Sequence, residues 1–143
     1  MARVSIYLNF PRQTEEVFRF YREVFGGDFS GPIHRFSDGP AGGPPLAETD
    51  RELVLHVELP ILAGSCVLMG TDAPESMGFT LTRGNNVHIN LEPDTRAEAE
   101  RLFAALSAGG TVEMPLQDMF WGAYFASFSD RYGTRWMINC TGQ

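Results

Sequence analysis

Three side chains able to move protons or bind metal fall on the polar sides of strand-like segments. They are His56 and Glu58, two apart within Glu52–Leu59, and His88 within Val87–Glu92. Residues two apart on a strand share a face, so His56 and Glu58 point the same way. An imidazole beside a carboxylate is the arrangement of an oriented general base. Two imidazoles and one carboxylate also make a facial metal triad with positions open to substrate. That triad requires the fold to bring His88 to the strand of His56. The plainer reading is that His56 and Glu58 hydrogen-bond each other or line a pocket as polar groups. His34, near a loop rich in Gly and Pro, reads as exposed.

A second set suits recognition. Tyr7 and Asn9 share a strand side with Ser5, and Asn90 shares one with His88 and Glu92. Gln117, Asp118, Phe120, Trp121 and Tyr124 form an aromatic-polar segment leading into a strand. Such a segment makes a pocket wall, with rings for stacking and an amide to orient a ligand. The same residue types also suit hydrophobic packing or a dimer contact. Arg135 shares a side with Met137 and Asn139, where it either neutralises an anionic ligand or ends its strand in solvent.

The elements that must position these residues are written twice. Val4–Phe10 precedes an amphipathic helix, Thr14–Phe25, and Gly26-Gly27; Val87–Glu92 precedes a helix, Thr95–Ala108, and Gly109-Gly110. Thr14 and Asp94 or Thr95 are the expected N-caps, and the glycine pairs are the helix stops. Strands follow at Phe29–Phe36, Glu52–Leu59 and Ser65–Gly70, and again at Thr111–Pro115, Gly122–Ser129 and Thr134–Cys140. The order βαβββ, repeated, predicts an α+β fold. A single domain over residues 1–143 then holds two modules, about 1–72 and 84–143, with a linker at about 73–83. Alternation assigns Leu53, Leu55, Val57 and Leu59 to a helix-covered face, with Val54, His56 and Glu58 opposite. The polar faces then line a central cavity between curved, antiparallel-rich sheets, with the helices outside. The composition of the loop Gly39–Asp50 predicts mobility.

Composition narrows the function classes. The net charge of −7, with no basic stripe, argues against nucleic acid as a partner. No apolar run approaches the ~20 residues of a membrane span, and no signal peptide opens the chain, so a cytoplasmic protein is expected. Cys66 and Cys140 lie far apart in apolar runs and read as reduced, buried thiols. No phosphate loop, nucleophile elbow or His-Glu-x-x-His helix occurs. Nor is there a strand–Gly-rich turn–helix unit for a nucleotide-type methyl donor, so methyl transfer is not expected.

Several ordered segments carry a family resemblance: Tyr7-Leu8-Asn9-Phe10, Phe25-Gly26-Gly27, His56-Val57-Glu58-Leu59, Leu68-Met69-Gly70, Gly84-Asn85-Asn86, Met114-Pro115-Leu116-Gln117-Asp118, Phe120 to Phe125, and Trp136 to Cys140. In this order the chain resembles the vicinal oxygen chelate superfamily, the glyoxalase/bleomycin-resistance/extradiol-dioxygenase group, and within it the PhnB-like branch. The resemblance implies paired βαβββ modules, a homodimer and a small-molecule ligand. It also implies a divalent metal held at positions that fall on Ser5, Leu68 or Met69, His88 and Met137. Only His88 is an ordinary ligand there, because a thioether suits soft copper and Leu offers no donor. The expectation is therefore a pocket protein, without the usual metal, for a small, partly aromatic or polar organic molecule. One alternative is a metal-dependent lyase, isomerase or dioxygenase using His56, Glu58 and His88. The other is a metal-free enzyme with His56 or His88 as general base and Glu58 orienting it.

Overall fold

The computed structural model describes residues 2–40 and 45–143. Part of the loop expected to be mobile, residues 41–44, lies outside the described residues. The chain forms two compact units, Met1–Thr82 and Arg83–Gln143.

The first unit holds β1 (Ile6–Phe10), α1 (Thr14–Phe25), β2 (His34–Arg35), β3 (Val54–Ile61) and β4 (Cys66–Asp72). The second holds β5 (Ile89–Leu91), α2 (Arg96–Ser107), β6 (Thr111–Asp118), β7 (Tyr124–Ser129) and β8 (Arg135–Cys140). Their four-stranded sheets follow one plan, β1-β4-β3-β2 and β5-β8-β7-β6. In each, the first and last strands in sequence run parallel and the remaining neighbours antiparallel. This is the α+β architecture the repeat predicts.

One face of each sheet is closed by its helix. Val17, Phe18, Tyr21 and Val24 of α1 are buried, as are Val57, Leu59, Ile61 and Leu68 of the strands it packs on. Burying each such side chain contributes about 1.5–3 kcal/mol before entropy is counted. Gly70 lets α1 approach closely: a Cβ there would lie 2.4 Å from Phe18 Cε1. In the second unit Ala99, Leu102 and Leu106 face Ala126, Phe128, Trp136 and Ile138, and Phe103 meets Phe128 edge-on at 5.4 Å.

Three expectations are corrected. Thr14 is the first helical residue rather than the cap. Gln13 holds the cap position without a side-chain bond, and the buried Thr14 hydroxyl has no partner among the described residues. The acceptor instead arrives from β4: Asp72 Oδ1 takes the Thr14 N–H at 3.0 Å, and Oδ2 takes the Val54 N–H at 2.8 Å. The strand expected at Phe29–Phe36 contracts to His34–Arg35 before a 3₁₀ turn, Phe36–Asp38. In β3 the alternation slips at one residue, for Val54 is 1% exposed and Leu55 43%. The cause is a β-bulge: His34 pairs with His56 but Arg35 with Val54, which leaves Leu55 as the extra residue. In α2, by contrast, Thr95 caps as expected, its Oγ1 accepting the Glu98 N–H at 3.2 Å.

Candidate functional site

On the open face of the first unit, neighbouring strands set Tyr7, Met69 and Glu58 in one row and Asn9 beside Thr71 in the next. The Tyr7 hydroxyl lies 3.0 Å from His56 Nδ1, with the rings 5.7 Å apart, and His56 Nε2 lies 3.0 Å from Glu58 Oε1. The sequence placed His56 and Glu58 together. The structure adds Tyr7, from another strand, as the third member of the chain. Burial and the negative charge of Glu58 both push the Tyr7 pKa up, so it remains a phenol. A cleft of about 220 Å³ opens beside this chain, lined by Ser30, Gly31, Pro32, His34, His56 and Glu58. His34 stands there because it is the cross-strand partner of His56. Asn9 is exposed on the same side of β1.

The second unit gathers a different cluster around a residue that sequence reasoning passed over. Glu113 Oε1 lies 3.4 Å from His88 Nε2 and 3.2 Å from Arg135 Nη1, and accepts the Ser127 hydroxyl at 3.3 Å. The register of β6 shifts between Val112 and Met114, so Glu113 is the extra residue of a bulge. Simple alternation could not place it; the available signal was one carboxylate in the stretch Thr111–Pro115. Arg135 also donates Nε–H to the Gly84 carbonyl at 3.2 Å. It lines a cleft of about 470 Å³ with Arg83, Gly84, Asn85, Ser129 and Gly133. Asn90 is exposed opposite Met137.

The aromatic segment divides. Trp121 contacts Phe120 and Phe125 edge-on, at 5.0 and 6.0 Å. Gln117 donates to the Pro115 carbonyl at 3.2 Å. Tyr124 turns toward α2: the Arg96 guanidinium lies 3.7 Å from its ring centre and its hydroxyl donates to Glu100 at 3.2 Å. Arg96 in turn grips both oxygens of Asp118, at 2.7 and 3.1 Å, and holds that carboxyl below the usual range.

The positions that would carry the superfamily's metal can be tested by their donors. In the first unit the Ser5 hydroxyl is directed at Met69 Sδ, 3.8 Å away, while Leu68 is buried. In the second, His88 is engaged with Glu113, and Met137 pairs with Ser127 and Asn90. One hydroxyl, two thioethers and one imidazole do not fit a hard or borderline divalent ion.

With paired βαβββ units and this open-face chemistry in view, the class of protein follows. The sequence pattern of the Glyoxalase/Bleomycin resistance protein/Dioxygenase superfamily matches residues 7–138, and the chain belongs to that superfamily. Among individual relatives, protein PA1353 from Pseudomonas aeruginosa has a solved structure with a TM-score of 0.84. It is 34% identical, with all of both chains covered. Protein YjdN of Escherichia coli (strain K12) is 28% identical, over 98% of this chain and 96% of that protein. The PhnB protein from Bacillus cereus, at 21% identity and a TM-score of 0.74 over 97% of this chain and 99% of that one, shares the fold.

Proposed function

We propose that this protein binds a small organic molecule on its open sheet faces, without a divalent metal at the superfamily's usual ligand positions. The observation that carries this reading is the donor set. Ser5 and Met69 are directed at each other, Leu68 is buried, and His88 is engaged with a carboxylate. What the faces offer instead is tyrosine, histidine, asparagine and arginine beside clefts of small-molecule size. Tyr7, Asn9, Asn90, Gln117, Trp121, Tyr124 and Arg135 are the proposed recognition residues, of which Tyr124 is already engaged by α2. The reading extends to a homodimer, supported by exposed apolar side chains such as Val112, Phe120 and Trp121. It extends also to a reducing, cytoplasmic setting, which two free cysteines suit.

One observation favours a second reading. Glu58 orients His56 as a general base is oriented, so a metal-free enzyme drawing on His56 follows from the same geometry. A metal-dependent lyase, isomerase or dioxygenase using His56, Glu58 and His88 would have to displace a hydrogen bond from His56, both of whose nitrogens are engaged.

Protein purified without a histidine tag should carry no stoichiometric nickel, zinc, manganese or iron. Native mass spectrometry of the same sample should show a retained small molecule. Stoichiometric metal that is lost in both His56→Ala and His88→Ala would overturn the reading in favour of the metal enzyme.

A further inference from the structure

His56 has no free nitrogen to offer a ligand, and the way its two hydrogen bonds must run decides what the first unit can bind. A carboxylate at neutral pH only accepts, so Nε2 carries the ring proton and donates it to Glu58 at 3.0 Å. In a neutral imidazole Nδ1 is then the acceptor, and the Tyr7 hydroxyl donates to it at 3.0 Å. The phenolic proton is thus committed inward. Tyr7 is nevertheless 48% exposed, and what its oxygen has left for a ligand is lone-pair density. Glu58 likewise has Oε2 left, an acceptor bearing negative charge.

We propose that Tyr7, rather than His56, is the residue of the first unit that meets a ligand, and that the group it takes is an N–H or O–H donor, not a carboxylate or phosphate. This rests on the small-molecule-binding reading and names the chemistry that the face selects.

Charge points the same way. Four of the unit's six arginines, Arg12, Arg19, Arg22 and Arg35, are held in ion pairs with carboxylates. Of the other two, Arg3 precedes β1 and Arg51 follows the 3₁₀ turn Glu48–Asp50. An anion near Tyr7 would meet the negative charge of Glu58. A protonated amine would meet that same carboxylate favourably, with an aromatic ring beside it. The second unit presents the opposite polarity, because Arg83 and Arg135 line its cleft.

The experiment uses the full chain and three probes that share one ring: benzylamine, benzyl alcohol and benzoate. Binding is followed by ligand-observed NMR at mildly alkaline pH. Benzylamine and benzyl alcohol should bind at least about tenfold more tightly than benzoate, a difference a single well-placed hydrogen bond supplies. Tyr7→Phe, nearly isosteric at a half-exposed site, should weaken both donor probes, benzylamine less because Glu58 still attracts it. His56→Ala should narrow the gap between benzyl alcohol and benzoate, because the freed Tyr7 O–H can then donate to benzoate while Glu58 still opposes the anion.

Benzoate binding as tightly as the donors overturns the proposed polarity while leaving small-molecule binding intact. So does retention of a copurified molecule that Tyr7→Phe leaves unchanged. Failure of both donor probes to bind at millimolar concentration overturns the assignment of Tyr7. The broader reading would fall separately, by the metal analysis. Circular dichroism of each variant secures that a changed preference is not lost folding.

Discussion

The two units share a strand order yet anchor their helices and furnish their open faces by different means. In the second unit the start of α2 is closed locally, by Thr95 three residues before Glu98. In the first, α1 depends on Asp72, which lies 58 residues further along the chain and also ties down β3. The histidine–carboxylate pairs show the reverse. His56 and Glu58 are neighbours on one strand, whereas His88 and Glu113 are 25 residues apart and meet through a bulge. Each unit therefore has one feature encoded in adjacent residues and one that exists only after the sheet has formed. The long-range cap should be more costly to remove than the local one, because it leaves buried partners stranded.

Removing the two helix caps tests this most severely. Asp72→Ala strands the buried N–H groups of Thr14 and Val54, each costing about 1–3 kcal/mol, so a loss of about 3–5 kcal/mol is expected. Thr95→Ala removes one solvent-accessible cap and should cost about 1 kcal/mol. Urea unfolding of both variants measures the difference. Equal losses would break the contrast.

The next effect concerns the packing of α1. Gly70→Ala would place a methyl group 2.4 Å from Phe18 Cε1. The ring must shift within a filled core, at about 1–3 kcal/mol. A double variant with Phe18→Leu should recover part of that loss, since the two sites are in contact and should not be additive. Full additivity in a thermodynamic cycle would show that the clash is relieved elsewhere. In the second unit two tight glycines, Gly110 and Gly142, face backbone at Ser129 and Asp94 rather than an α2 side chain, so no paired side-chain truncation can relieve them.

These features differ in how far they could be read from the chain. The helices, the repeat and the order of strands follow from apolar periodicity and from glycine pairs, which act over short stretches. The pairing of His56 with Glu58 follows from strand alternation alone. Three things did not follow, and each fails for a stated reason. Asp72 lies beyond the residues that ordinarily cap a helix, and Thr14 was the nearer candidate. Leu55 and Glu113 sit in bulges, and a bulge shifts the side-chain period by one residue without a mark in the local composition. Tyr7 was legible as a polar-face residue but not as the partner of His56, because the strand between them had to be placed first.

The smallest predicted effect separates the charged pairs that flank the two helices. Glu15 near the start of α1 is held by Arg35, at 2.8 Å, and by Arg19, at 2.7 Å. Hydrogen bonding to Arg35, more than that to Arg19, brings the Glu15 carboxyl down to about 2. A carboxyl whose pKa is depressed on folding stabilises the fold above its unfolded value. That stability is lost as pH falls from about 4.5 toward 2. Because Glu15 is about one-third exposed, screening reduces the contribution to about 1–2 kcal/mol. Arg35→Met should remove most of it at neutral pH and flatten the acid limb of the stability profile. In α2 the corresponding pair, Glu98 with Arg101, lies three residues apart on an exposed surface, where about 0.3–0.5 kcal/mol is typical. Arg101→Met should therefore lose less at neutral pH and keep the acid limb set by Glu15. Stability followed by chemical denaturation from neutral pH to about 2 distinguishes the two variants. An unchanged acid limb in Arg35→Met would show that Arg19 alone holds Glu15, and that the link from β2 to α1 contributes nothing to the first unit.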